Sequence, residues 1–222
     1  MVDANKPTLG YWKIRGLAQA CRIQLAHAGV DFEDKMYEVH VKAEGGFDTS
    51  EWTDAKATMT GFPNLPYIKV GDFCISEAVA VHRYIASKYN PATLGSTPQI
   101  AGVADQVYSV LHALRFNKCT MGCYTHGDRE KIMADCKADL DKFAAHMADG
   151  KHYLAGNELT WVDFIGYEAV EVFQWVSEGK FFDMYPCFKE YHARIAAEPK
   201  VAAFLEAQAP LPWNNKMAKL NA

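Results

Sequence analysis

The sequence predicts an α/β domain followed by an all-α domain. Strand and helix signals alternate through the first 90 residues, a short stretch rich in Asn, Pro, Thr, Gly and Ser follows, and beyond it only helical periodicity remains. The chain therefore divides into residues 1–89, a linker at 90–98, and residues 99–222. At 222 residues, with 50% hydrophobic and 23% charged side chains, it can bury a full core and hold two small domains.

Thr8, Leu9 and Tyr11 follow Pro7 and have strand character; Gly16 breaks the pattern, and Leu17, Cys21, Leu25 and Ala28 then recur at helical spacing. This delivers the Tyr11 phenol to the mouth of a strand-to-helix turn, where open sheets with crossover helices bind their ligands. Phe32 to Val39 alternates as a strand, which completes a strand-helix-strand unit with an expected right-handed crossover and a parallel pair. His40 to Thr60 is polar, carries Gly45-Gly46, and gives only a short helical suggestion around Trp52 and Lys56, so it reads as a long surface excursion. Tyr67 to Val70 and Phe73 to Ile75 flank Gly71-Asp72, the composition of a tight hairpin turn. Ser76 is placed to cap a helix that buries Ala78, Val81, His82 and Ile85 and runs to about Lys88.

After the linker, Ile100, Val103, Ala104, Val107, Leu111 and Leu114 keep a helical period, as do Ile132, Cys136, Leu140, Phe143 and Met147. Thr160-Trp161-Val162-Asp163 opens a further helix, with Asp163 able to reach back to the free N–H groups of its first turn. Ile165, Ala169, Val172, Phe173 and Val176 form its buried stripe, and Gly179 is its expected stop. Shorter helices are expected around Phe188 to Ala197 and Lys200 to Ala207, ahead of a tail rich in Pro and Asn.

Composition narrows the chemistry. A net charge of -4 without a Lys/Arg cluster argues against nucleic acid as a partner. No apolar run is long enough to span a bilayer, and Met1 to Pro7 lacks a charged or apolar leader pattern, so a cytoplasmic location is expected and no membrane association. The six cysteines contain no CxxC pair and suit reduced thiols. The eight histidines contain no HxxxH pair, so no metal site is expected, and Gly45-Gly46 falls short of a phosphate loop.

The chain resembles the cytosolic glutathione transferases, most closely their mu class, over nearly its whole length. Leu9-Gly10-Tyr11-Trp12, Ile14-Arg15-Gly16-Leu17-Ala18, Phe62-Pro63-Asn64-Leu65-Pro66-Tyr67, Arg83-Tyr84-Ile85-Ala86 and Leu159-Thr160-Trp161-Val162-Asp163-Phe164 carry the resemblance through their order and spacing. It implies a thioredoxin-like domain followed by a helical domain, a homodimer, glutathione as co-substrate, no permanently bound cofactor, and small hydrophobic electrophiles as acceptors.

The resemblance also implies roles. Tyr11 matches the catalytic tyrosine. A free thiol has a pKa of about 8.5, and lowering it by about two requires about 3 kcal/mol of preferential anion stabilisation, within reach of one well-aimed donor in a dry site. Taken alone, Tyr11 reads as a strand-end ring in the core; the motif around it favours the catalytic role. Leu65-Pro66 is expected to be cis, presenting the Leu65 backbone to the cysteinyl part of glutathione, with Asn64 nearby. Trp12, Trp52 and Lys56 match contacts to the glycyl end. Glu77-Ala78 stands where the family has Gln-Ser at a helix N-terminus that receives the γ-glutamyl group, with Glu77 a candidate partner for its ammonium. Ile14, Leu17, Tyr124 and the tail residue Trp213 are the expected walls of the electrophile pocket, and His112 is a candidate to face it. Phe62 matches an aromatic key inserted into the partner subunit, and Arg83 a residue at the dimer axis.

Two further departures stand beside Glu77-Ala78. Thr49 replaces an arginine of the mu pattern, and no carboxylate lies between Gln106 and Gly127 to lend the acidic contact that a partner subunit supplies, unless Asp105 is its equivalent. These favour a rival reading, a non-catalytic binder of hydrophobic ligands or a scaffold on the same fold. A glutathione-dependent isomerase or peroxidase would use the same thiolate. A thiol-disulfide enzyme would need a reactive Cys where Tyr11 stands, and Cys21 lies further along the helix on its apolar side.

Overall fold

The computed structural model describes residues 6–148 and 150–221. The first five residues, Asp149 and Ala222, which the 1–89 and 99–222 units include, lie outside the described residues. Strand β1 (Thr8–Trp12) leads through a turn into α1 (Ala18–Ala28) and then β2 (Glu33–Tyr37), which pairs with β1 in parallel from Thr8↔Glu33 to Trp12↔Tyr37. The 40–60 region is more ordered than its composition suggests: β3 (His40–Val41) and β4 (Phe47–Asp48) form a small antiparallel pair, followed by α2 (Ser50–Ala57). The signal of α2 is weak because Trp52 is its only buried residue. That indole meets Tyr37 edge-on at 5.4 Å and stacks on Tyr67 at 6.3 Å, which pins the helix to the sheet.

β5 (Tyr67–Val70) and β6 (Phe73–Ser76) form the expected hairpin and complete a sheet of order β2-β1-β5-β6, with β5 antiparallel to β1. Gly10 makes the β1–β5 contact possible, since a Cβ there would fall 2.0 Å from the Tyr67 ring. Ser76 does not cap the next helix. It ends β6 and its hydroxyl donates to the Phe62 carbonyl, and Glu77, with φ 71, precedes α3 (Ala78–Tyr89). No side chain caps that helix, so its first turn keeps open N–H groups.

A 3₁₀ turn (Pro91–Leu94) leads to α4 (Pro98–His112), which continues as a π-helical stretch (Ala113–Thr120) and then as α5 (Met121–Thr125). α6 (Arg129–Met147) follows, capped by the Asp128 side chain accepting from Lys131 N at 3.0 Å. α7 (Trp161–Val176) is buried along most of its length. Asp163 accepts from Thr160 N at 2.8 Å and from Leu154 N at 2.8 Å, closing the first turn as its spacing predicts. Burial lifts the Asp163 carboxyl to about 6 against these bonds. The helix ends at Val176, ahead of Gly179, whose N–H returns to Gln174 O at 2.8 Å. α8 (Phe181–Met184), too short to show a period, precedes α9 (Cys187–Ala196) and α10 (Pro199–Ala207). α1 packs against α3, α7 and α10, so the crossover helix of the sheet is also the seam to the helical domain.

Candidate active site

The turn between β1 and α1 is held from beneath by guanidinium groups. Arg22, fully buried on α1, donates to Ile14 O at 2.9 Å and to Asp34 Oδ2 at 2.8 Å. Arg115, from the π-helical stretch, donates to Gly16 O at 2.8 Å. Arg15 forms a two-pronged contact to Glu168 of α7, at 2.9 and 2.7 Å, and Arg115 lies 3.8 Å from the same carboxylate, which is completely buried. The Arg15 backbone N–H donates to Pro212 O in the tail at 2.8 Å. Arg22, Arg115 and Glu168 were missed in the sequence because each is a lone charge within an apolar helical stripe. Their placement there was the available signal, since a charge in such a position requires a partner.

This turn aims Tyr11. Its ring is buried, and its hydroxyl oxygen accepts from Leu17 N at 3.1 Å. Burial pushes the phenol up to about 12, although the Leu17 N–H and Arg115 act in the opposite direction. The group therefore keeps its proton at neutral pH, and with its oxygen already accepting, that proton is available to a ligand. Gly16, at φ +42, allows the approach, because a Cβ there would fall 2.5 Å from the Tyr11 ring. Cys21 cannot serve as a rival nucleophile. It is buried with its thiol pushed up to about 12, and its Sγ sits 3.4 Å from His82 Nε2.

Tyr11 opens into a cleft of about 570 Å³ between the sheet and the helical domain. On the sheet side it is lined by Trp12, Trp52, Asn64, Leu65, Glu77 and Ala78, and by Ile14 and Leu17 from the turn. The Leu65–Pro66 bond is cis; Pro66 itself is buried behind the lining. Asn64 bridges the lining, accepting from Leu65 N at 2.9 Å and donating to Glu77 Oε1 at 2.7 Å. Lys56 is exposed and is not among the lining residues.

The facing wall comes from α4, the π-helical stretch, α5 and the tail. Tyr124 lines it, with its hydroxyl accepting from Asn215 N at 3.3 Å. Trp213 is not in the lining, contrary to the expectation that it closes the pocket. Its ring stacks on Trp175 at 5.3 Å and lies beneath the Arg15 guanidinium at 4.3 Å, which turns it toward the helical core. Asn214, Asn215 and Met217 line the cleft in its place. Tyr108, His112 and Phe116 complete the wall.

Away from the cleft, Phe62 is 89% exposed. Arg83 pairs with Asp105 of the same chain. Thr49 precedes α2 without a capping side-chain bond. Among the described residues, no group of three or more His, Cys, Asp and Glu side chains gathers as a metal site, and no helix is long and apolar enough to cross a membrane.

With this geometry the comparisons agree. The glutathione S-transferase N-terminal domain family matches residues 7–87, and the C-terminal domain family matches residues 116–208. The chain is 34% identical over 222 residues to a glutathione S-transferase of Tyrophagus putrescentiae, covering 98% of both chains. It is 34% identical over 225 residues to glutathione S-transferase Mu 5 of Mus musculus, covering 98% of this chain and 97% of the other. A Pi-class glutathione S-transferase of Onchocerca volvulus shares the fold, with a TM-score of 0.81 at 23% identity over 96% of this chain and 99% of that one. A protonated, buried tyrosine at a strand-to-helix turn, a cis-proline loop and an uncapped helix start thus sit on a thioredoxin-like domain joined to a helical one, and the chain belongs to the glutathione S-transferase family, with Mu-class members among its relatives.

Proposed function

We propose that this chain conjugates glutathione, as its thiolate, to soft hydrophobic electrophiles such as aryl halides, epoxides and unsaturated carbonyls, with Tyr11 as the catalytic donor. The observation that carries this is the Tyr11 hydroxyl: its oxygen accepts from Leu17 N while burial keeps its proton in place. A neutral O–H aimed at a sulfur stabilises the anion over the thiol, because only the anion is a strong acceptor. The attacking pair is then present before the electrophile arrives, and the protein contributes binding, desolvation and orientation, not a proton relay.

In this reading residues 1–89 bind glutathione and residues 99–222 supply the electrophile wall, joined through 90–98. Trp12, Trp52 and Lys56 take the glycyl end. The Leu65 backbone beside Pro66, with Asn64, takes the cysteinyl part. The open N–H groups at Ala78 and the Glu77 carboxylate take the γ-glutamyl end. Ile14, Leu17 and Tyr124 contact the electrophile, and the tail's share passes from Trp213 to Asn214, Asn215 and Met217. The exposed Phe62 ring and Arg83 belong to a homodimer contact, and the chain works in cytoplasmic detoxification.

A second reading, a non-catalytic binder, draws on the Arg83–Asp105 pair, which commits within the chain the acid that would otherwise reach a neighbouring γ-glutamyl group. The two are separated by the ultraviolet absorbance of bound glutathione thiolate across pH, for wild type and Tyr11→Phe. A thiol titrating well below about 8.5, returning toward that value in Tyr11→Phe, is the expected result. Binding with an unshifted thiol would leave only the binder. Isomerase or peroxidase activity would show the same thiolate and differ in the acceptor it turns over.

A further inference from the structure

Three rings on the wall facing Tyr11 form a continuous ladder. Tyr108 stacks on His112 at 5.4 Å and 28°, and His112 stacks on Phe116 at 5.3 Å and 20°. All three line the cleft. The ladder starts at the γ-glutamyl end, where the Val79 N–H faces the Tyr108 hydroxyl oxygen and Glu77 lies within electrostatic reach of both Tyr108 and His112. It ends toward Thr120 and Tyr124. The helix passes from α to π geometry at Ala113, directly after His112, and π-helical turns frequently occur at functional sites.

The contact with Tyr108 favours one tautomer of His112. Tyr108 Oη lies 3.4 Å from His112 Nδ1. Tyr108 keeps its own proton, because burial pushes the phenol up to about 12 although the nearby Val79 N–H acts in the opposite direction, and its O–H donates to Nδ1. The imidazole proton is then on Nε2. Burial and Arg115 hold the ring below its ordinary basicity, so it is neutral at pH 7. Among the described residues no protein acceptor takes the Nε2–H, and the residue is half-buried in the cleft wall.

We propose that His112 is a catalytic residue for carbonyl electrophiles, its Nε2–H donating to the oxygen of an α,β-unsaturated carbonyl while glutathione sulfur adds at the β-carbon. The role rests on the thiolate reading above. The thiolate pair forms the C–S bond, the C=C π pair becomes the double bond between the α-carbon and the carbonyl carbon, the C=O π pair moves onto oxygen to give the enolate, and water supplies the proton that the α-carbon takes up as the carbonyl re-forms. His112 keeps its proton and stabilises the oxygen where charge gathers, as a preorganised donor does. The Tyr108 and Phe116 rings fix the plane of the imidazole. The selectivity follows from charge distribution: an enolate concentrates charge on one oxygen, whereas addition to a nitroaryl halide spreads it over ring and nitro groups.

The test is the ratio of kcat/KM for benzylideneacetone to that for chlorodinitrobenzene, in wild type, His112→Phe and His112→Gln. His112→Phe keeps the stack and removes the donor, and the ratio is expected to fall about 100-fold, the low end of the range for losing one such donor. His112→Gln places an amide N–H near the position of Nε2 and is expected to restore most of the ratio. An unchanged ratio in His112→Phe, or a loss that Gln does not repair, would overturn the role and leave His112 as packing. Thiolate absorbance on the same preparations reports the Tyr11 step separately; its absence from wild type would overturn the proposed function and this role with it.

Discussion

Beneath Tyr11 the chain is tied by charge-assisted hydrogen bonds: Arg22 to Ile14 O, Arg115 to Gly16 O, and Arg15 to the wholly buried Glu168. The opposite wall is held differently, by stacked rings at Tyr108, His112 and Phe116 and by main-chain bonds of the tail, such as Leu220 N to Cys123 O at 3.0 Å. Charge-assisted bonds are short and directional and hold an atom in place. Ring contacts are worth about 0.5–1.5 kcal/mol each and hold the plane of a ring while permitting small shifts within that plane. A fixed donor thus faces an adjustable wall, which suits a reaction whose nucleophile is constant and whose acceptor varies.

The contrast can be broken from either side. Tyr11→Phe removes the fixed donor, and kcat/KM for chlorodinitrobenzene is expected to fall about 100-fold or more in steady-state assays. Glu168→Ala leaves the Arg15 and Arg115 guanidiniums without their shared carboxylate, and urea unfolding should show a loss of about 3–5 kcal/mol. Gly16→Ala puts a Cβ against the Tyr11 ring at a φ of +42, displacing the hydroxyl; a loss of about 10-fold in kcat/KM is expected, with the fold intact by circular dichroism. On the adjustable side, Tyr124→Phe removes only the acceptor of Asn215 N–H and should cost about 0.5–1.5 kcal/mol in the same urea titration. The smallest effect concerns pH. The Tyr11 donor exists below its pKa of about 12 and is lost above it, so kcat/KM should rise as the thiol ionises and then stay level to about pH 10. A fall between pH 8 and 10 would show that the phenol ionises early and that the donor is not buried as described.

Much of the fold was legible because its signals are local. The Tyr11 turn, the Gly71-Asp72 hairpin and the Asp163 cap each lie within a few residues of their partners. What sequence reading missed depends on distance along the chain. Arg15 and Glu168, or Arg115 and Gly16, meet only after two domains dock, and a lone charge in an apolar stripe announces that a partner is required without saying which residue across the seam supplies it. α2 shows in the sequence only as a short suggestion around Trp52 and Lys56, because one tryptophan supplies its anchorage. Ser76 misled because hydroxyl caps are common at helix starts, whereas here the hydroxyl is claimed by Phe62 O and Glu77 takes the left-handed turn. Trp213 had two apolar destinations, the cleft and the core, and the Arg15–Trp175 sandwich decided between them.

The docking of Arg115 and Glu168 against the β1–α1 turn has a consequence for building chimeras. Tyr11, the proposed donor, is encoded in the first domain, but Arg115 and Glu168, which hold its loop, are encoded a hundred and more residues later. Exchanging either half for that of a cousin would bring a loop to a foreign set of supports. A graft that carries Arg115 and Glu168 together with the amino-terminal half keeps the loop's supports intact, and one that leaves them behind transplants a tyrosine without its foundation.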